Sequence, residues 1–534
     1  MRSIEIPQPE DRDWRYRAFE ILPGALSWTV LAAPFLLSIW NIKLAVYFIT
    51  LYIAIWTVRS VTIAARTLQG WNKVDKQRKL NWRGLNQDLE NLTIKAAHAP
   101  KWHASNVERV RERLANRRLK PSEVIHAVFL ALYKESLEVI EPTVQSLLAN
   151  EYDTKKIILV IPYEQRGGPA TKDTAELLVK KYKHHFYDAM AVMHPWPMTG
   201  EVAGKGGNIT FAGRHFKKYL EQEKIDPACV LVTTLDADNR PDKKYFAALT
   251  YTFCSTEEPK YVSYQPIPMY FNNIWDAPAP TRVIATGTSF WYVVLSLRQH
   301  MARNFSSHAQ PMAALIETDF WSVRSIVEDG HQFWRTYFRF DGRHEVYPIY
   351  VPIYQDAVLA GGLLKTLKAQ FIQVRRWAWG ASDVAYLAHN GFFKKNKVPK
   401  WDLATKFFLL LEGHVSWATM PLILLFAAEV PFLFDRNLLN SNGFIANQLP
   451  QVISRIGLVA LVGLLVTFYL SFKSLPPKPA RYKRHRTIWM VLQWVYLIPA
   501  TVVFGALPAL NSQTRLMFGW YLGQFDPTEK VVKK

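Results

Sequence analysis

The sequence predicts an α/β domain, a mostly parallel sheet with helices on both faces, inserted between transmembrane helices. Three observations predict it. Long uncharged runs lie near both ends of the chain. Between them, strand-like and helix-like segments alternate, which is the pattern of a parallel sheet covered on both faces. One of those strands, "VLVTTLDAD", ends on two aspartates, Asp236 and Asp238, in a chain of net charge +21.

Ile21 to Trp40 carries no charge over twenty residues, and Leu44 to Val58 is apolar again. At about 1.5 Å rise per residue such a run crosses a bilayer core, so a tight helical hairpin is expected. Near the other end, Phe407 to Phe434 is apolar apart from Glu412, His414 and Glu429. Val452 to Phe472 and Thr487 to Leu510 follow, the last broken by Pro499 and Pro508. The loop between those two carries six Lys/Arg from Lys473 to Arg486, whereas Asp435 to Pro450 carries only Arg436. The positive-inside rule then places the basic loop, the middle of the chain and the amino terminus in the cytoplasm. Five spans would leave the lysines after Leu510 outside, and a re-entrant last segment would return them. The basic charge faces anionic headgroups on this reading, and no compact basic motif points to nucleic acid. Cys229 and Cys254 form no C-x-x-C, which argues against a disulfide scaffold or a zinc site.

In the middle, "VIHAVFLALYKE", "KIILVIPYE", "AMAVMHP" and "ACVLVTTLDAD" read as strands, with helical segments between them. Sheets of this kind bind ligands at the carboxyl ends of their strands. Residues two apart on a strand share a face, so Asp236 and Asp238 repel unless a cation lies between them. Carboxylate ligands suit Mg²⁺ or Mn²⁺, which leaves positions open for substrate phosphates. D-x-D alone also occurs in solvated turns. Further along, "GKGGN" (Gly204–Asn208) opens a helix and could cradle phosphate with Lys205. "VEDGHQFW" begins at Val327 and "QVRRWAWG" at Gln373.

This order and spacing resembles the membrane-embedded family 2 glycosyltransferases, the cellulose, chitin, hyaluronan and poly-N-acetylglucosamine synthases. Their signature is D, D-x-D, (T/E)-E-D and Q-x-x-R-W on a GT-A fold. The resemblance covers about Val124 to Leu411 and the membrane layout. It implies an inverting hexosyl transfer from a nucleotide sugar, a UDP-sugar being expected, to a growing polysaccharide. Asp238 would bind the metal, and Asp236 the metal or the donor ribose. Lys205, Gln373 and Arg376 would attend the donor, with Arg376 near the diphosphate. Asp329 would be the general base, and Trp377 would lie under the acceptor with Glu328 beside it. The chain departs from the pattern where "VED" replaces T-E-D and where "IPYEQRG" lacks the aspartate usual after the second strand. Glu164 is the substitute there. "IETDFW", with Asp319, is a second segment resembling the base motif.

The expected organisation is a cytoplasmic tail (1–20), a transmembrane hairpin (21–66), a basic interfacial linker (67–120), and a GT-A domain (121–400). An interfacial helix with three membrane segments (401–511) and a tail (512–534) follow. The expected location is a bacterial inner membrane, crossed several times, with the catalytic domain cytoplasmic. A glycosyltransferase adding one sugar to a membrane lipid is the rival reading, and a non-catalytic membrane binding protein is a further one. An accessory subunit is left open.

Overall fold

A computed structural model describes residues 4–112, 119–434, 451 and 463–523. Eight strands form one sheet: β1 (Ile125–Leu130), β2 (Ile157–Glu164), β3 (Asp188–His194), β4 (Val230–Leu235), β5 (Arg240–Pro241), β6 (Val262–Met269), β7 (Ala309–Pro311) and β8 (Glu345–Tyr354). Their spatial order is β3-β2-β1-β4-β7-β6-β8-β5. β3, β2, β1 and β4 run parallel, as do β6 and β8. The short β7 is antiparallel to both β4 and β6. The mostly parallel α/β sheet expected from the alternation is therefore present.

β1, β2, β4 and β6 are buried along almost their whole length because helices cover both faces, which is why they read as nearly unbroken apolar runs. Side chains alternate between two cores. Val128, Leu130, Leu231 and Leu235 point to one, with Leu147 and Leu249 from the covering helices. Ala127, Phe129, Val230 and Val232 point to the other, with Phe216 and Trp321. The β1–β4 register, Ile125 opposite Val230 through Leu130 opposite Leu235, brings the ends of both strands level. Asp236 follows immediately.

Four helices among the described residues are long and apolar enough to cross a membrane: Trp14–Trp40, Ile42–Lys79, Lys400–Phe434 and His485–Phe518. Most of the run expected at Val452 to Phe472 lies outside the described residues, as do the loop 435–450 and residues 524–534 of the tail. Asn41 separates the first two helices and caps the second, its side-chain oxygen accepting from the Lys43 N–H at 3.0 Å. The last segment is interrupted by a 3₁₀ turn at Gln493–Tyr496 and a π turn at Val502–Ala506.

The second helix is 38 residues long, about 57 Å, and outruns a bilayer core of about 30 Å. Its far half buries Thr67, Gly70, Trp71 and Val74 against the soluble domain. Trp71 meets Phe290 edge-on at 6.2 Å. Past that helix, Trp82 and Trp102 pack on Tyr251, which belongs to a helix covering the sheet.

The Gly70 contact is testable. A Cβ there would lie 2.5 Å from Val293 Cγ1 and 2.8 Å from the Val293 carbonyl oxygen. Gly70→Val is expected to cost about 1–3 kcal/mol through overpacking, lowering Tm in detergent. At Gly287, in the helix Ala279–Ser296, a Cβ would meet nothing within 4 Å. Gly287→Ala is expected to raise stability by up to about 1 kcal/mol through helix propensity. Equal shifts for the two variants would refute the packing account.

Candidate active site

Lys205 begins the helix Lys205–Gln222, which packs on the sheet beside β2 and β3. Its Nζ lies 2.8 Å from Asp236 Oδ1, 3.6 Å from Asp329 Oδ2 and 3.9 Å from Glu328 Oε1. Three predicted motifs thus meet at one ammonium. Asp236 arrives at the end of β4, while Glu328 and Asp329 open the helix Glu328–Arg339. Negative charge is favoured at a helix start, so that placement helps to hold two adjacent acids there. Gly206 makes the approach possible. A Cβ on it would lie 2.3 Å from the Ser322 carbonyl oxygen and 3.1 Å from Glu328 Cβ.

The electrostatics follow from burial. Desolvation works against the charge on Lys205, but Asp236, Asp329 and Glu328 outweigh it and hold the ammonium well above its usual range. Glu328 is pushed up to about 8, first by burial and then by the Asp329 charge, with Lys205 opposing. Arg376, from the helix Leu363–Ala378, faces the same acids. Burial pulls its guanidinium down, and Glu328, Asp236 and Asp329 oppose that pull.

Asp236 also accepts from Ser306 Oγ at 2.6 Å, and about a third of its side chain remains exposed. Asp238 is buried, and its Oδ2 accepts from the Asp356 N–H at 3.1 Å. With the Asn239 amide in the orientation that satisfies both of its ends, its nitrogen donates to Asp238 Oδ1 at 3.2 Å. Its oxygen then accepts from the Asp236 N–H at 3.2 Å. Among the described residues, no three His, Cys, Asp or Glu side chains are grouped as a metal site. The residues present fit an ion that takes one or two protein carboxylates and completes its shell from water and ligand oxygens.

Asp329 has a neighbour that sequence reasoning missed. His308, fully buried, places Nδ1 at 3.5 Å from Asp329 Oδ1. The Trp321 indole N–H donates to His308 Nε2 at 3.2 Å. An indole nitrogen can only donate, so the neutral ring carries its proton on Nδ1, which faces the Phe305 carbonyl at 3.0 Å and Asp329 beyond. Burial holds this histidine below its usual range against the pull of Asp329. His308 and Ser306 lie in or beside the segment leading to three-residue β7, which is too short to leave a periodic signal.

Gln373 and Trp377 line a small cavity together with Tyr270, Thr288 and Gln370. The rings of Tyr270 and Trp377 are 6.1 Å apart. Ala357, also in the cavity wall, follows Asp356, whose N–H meets Asp238, so this cavity adjoins the aspartate pair. Burial raises the Tyr270 hydroxyl, and Tyr292, Asp236 and Asp238 add to that. Glu164 ends β2 and pairs closely with Arg166. Among the described residues no ion pair joins it to the Lys205 cluster. Asp319 lies elsewhere, two-thirds exposed and bridged to Arg214 at 2.7 and 3.0 Å.

No family model and no curated protein matches the chain. Solved structures similar to it include the mannosyltransferase PcManGT from Pyrobaculum calidifontis in complex with GDP-Man and Mn²⁺. That match has 14% identity and a TM-score of 0.37 over 82% of this chain and 98% of that one. Another is S. aureus TarS 1–349 in complex with UDP-GlcNAc, with 11% identity and a TM-score of 0.32 over 75% of this chain and 93% of that one.

Two outcomes test this geometry. Gly206→Ala is expected to destabilise by about 1–3 kcal/mol, because a backbone carbonyl stands in the way. An unchanged Tm would refute the close approach. The raised Glu328 has a definite sign. Between roughly pH 4.5 and 8 the folded protein keeps a proton that the unfolded chain releases, so stability falls as pH rises through that window. Glu328→Gln is expected to flatten that part of a Tm-against-pH curve measured in detergent. A variant with the wild-type slope would mean that Glu328 is not the proton holder.

Proposed function

We propose that the chain is a membrane-bound inverting glycosyltransferase of the family 2 type. On this reading it moves a sugar from a nucleotide-sugar donor, a UDP-sugar by expectation, to a growing polysaccharide at the cytoplasmic face. The single observation that carries the reading is the convergence of Asp236, Glu328 and Asp329 on Lys205, with Arg376 facing the same acids. Four separate sequence motifs supply those residues, and they meet at the carboxyl end of β4.

The chemistry is one displacement. The acceptor hydroxyl attacks the anomeric carbon as the bond to the nucleoside diphosphate breaks, and the hydroxyl proton passes to a carboxylate. Asp329 suits that task, since its Oδ1 is buried and, among the described residues, accepts no hydrogen bond, with His308 Nδ1 standing off at 3.5 Å. Glu328, protonated through neutral pH, can donate to a sugar hydroxyl without adding charge beside the base. Lys205 and Arg376 are two cations placed to take up charge on the leaving diphosphate. Mg²⁺ or Mn²⁺, held by Asp238 and Asp236 with diphosphate oxygens, would supply further stabilisation of that leaving group. Trp377, in the cavity wall, would hold the acceptor, and Gln373 beside it would attend the donor.

The second reading is transfer to a lipid-linked acceptor. Ile284 of the same cavity packs against Ala500 and Phe504 of the last membrane segment, which favours an acceptor approaching from the bilayer.

The test is release of nucleoside diphosphate from a panel of UDP- and GDP-sugars with Mn²⁺, using purified protein in detergent with membrane lipid. Wild-type protein is expected to release it from one donor. Asp329→Asn is expected to slow that release by about a hundredfold to ten-thousandfold, the usual contribution of a general base. Asp319→Asn, on the surface, is expected to stay within about twofold. Loss in the second variant but not the first would reassign the base. The size of the labelled product separates polymer from glycolipid.

A further inference from the structure

Residues 4–8 form a strap across the soluble domain. The Tyr386 hydroxyl donates to the Ile4 carbonyl at 2.7 Å, and Arg324 Nη1 donates to the Ile6 carbonyl at 2.9 Å. The Ile6 side chain is buried with Phe333, Trp334 and Tyr337, all on the helix that opens with Glu328 and Asp329. Between these anchors lies Glu5. Its carboxylate meets Arg335 Nη1 at 2.5 Å on that same helix and accepts from Ser322 Oγ as well.

The contacts continue to the centre of the site. Arg335 Nη2 donates to the Thr318 carbonyl at 2.7 Å. It thereby braces a turn in which Asp319 and Phe320 both hold left-handed backbone, φ 51° and 61°. Such a conformation is costly for non-glycine residues and persists where its surroundings over-determine it. The turn leads into Ser322, whose carbonyl is the atom that stands against Gly206. Gly206 is next to Lys205. Glu5 therefore holds, in one carboxylate, the helix that carries Asp329 and the turn that abuts the Lys205 loop. Arg335 is buried, and Glu5 is four-fifths buried, so the pair lies where its attraction is little screened by salt. Burial works against the Glu5 charge, and Arg335 overrides it and holds the carboxyl below its usual range.

We propose that Glu5 is a positioning residue for the transfer, holding the Glu328–Arg339 helix and the Ser322 turn in the relation that sets Asp329 and Glu328 beside Lys205. The inference rests on the transferase reading above. Donor binding should depend less on the strap than the chemical step does, because Asp236, Asp238 and Arg376 reach the donor from other elements and only Lys205, among the donor residues, starts beside the braced turn. The chemical step should depend on it strongly, because displacement of a base by about 1 Å can cost on the order of a hundredfold.

The experiment uses full-length protein in detergent and three variants: Glu5→Gln, Glu5→Asp and Arg335→Gln. It reads kcat and donor KM with whichever sugar nucleotide the wild type turns over, UDP and GDP affinity with Mn²⁺, and hydrogen exchange across 322–335. The expected result for Glu5→Gln is a kcat lower by about tenfold or more, KM and nucleotide affinity within about twofold, and faster exchange in 322–335. Arg335→Gln should behave alike, and Glu5→Asp should recover part of kcat. A kcat within twofold of wild type, or unchanged exchange, overturns the proposal. So does a fall in kcat matched by equal losses of nucleotide affinity and Tm, which would mark a merely structural residue. A wild type that releases nucleotide from no donor overturns the transferase reading itself, an outcome visible before any variant is measured.

Discussion

Lys205 Nζ stands 2.8, 3.6 and 3.9 Å from three carboxylates, in a place where water is largely excluded. Acids so close to one another cannot all be charged without a nearby cation, and a buried cation is itself costly without acids. The cluster settles that conflict in two ways. It keeps the ammonium charged, and it keeps a proton on Glu328. Asp236 and Asp329 then differ in setting, one partly open to solvent at the strand end and one against His308. Asymmetry of this kind, in which neighbouring acids sit in different environments, is what lets a single site give them different roles.

The rest of the fold serves that arrangement by delivering backbone to it. β4 brings Asp236 to the sheet edge, two helices begin at the cluster, and Gly206 lets the Ser322 carbonyl come close enough to fix Lys205. Neither helix start is capped by a side-chain hydrogen bond. Ligand oxygens and site carboxylates can occupy a position that a Ser or Asp cap would fill in an ordinary helix.

Much of this was legible in the sequence. The central strands β1, β2 and β4 are apolar throughout, since both faces are covered, and the membrane runs are legible by length alone. Lys205, Asp236 and Asp329 each belong to a motif whose chemistry needs that residue type, and they do converge. What was not legible has physical reasons. β7 has three residues and takes its place through pairing with β4 and β6, so no periodicity announces it or the His308 beside it. The choice between Asp329 and Asp319 rests on side-chain partners, and Arg214 is 105 residues away from the acid it pairs with. Glu164 stands at the end of β2, and its close pairing with Arg166 is a side-chain contact that no pattern announces. The strap at 4–8 is too short and mixed to carry any pattern, and its meaning lies in Arg335 and Ser322.

The membrane helices enter the same argument through rigid contacts. The Ile42–Lys79 helix leaves the bilayer and docks by Gly70 and Trp71 on the helix Ala279–Ser296. That helix contributes Ile284, Ala285 and Thr288 to the cavity beside Trp377 and, through Val283 and Ile284, packs on the last membrane segment. One helix thus touches the first membrane hairpin, the cavity wall and the final span. At the final span the helix is broken by a π turn at Val502–Ala506, an irregularity that proteins tend to keep where a site needs it. An acceptor seated against Trp377 would therefore be held at a fixed distance from the bilayer by packing. The Glu328–Arg339 helix, anchored separately by Glu5 and Ile6, would meet it there.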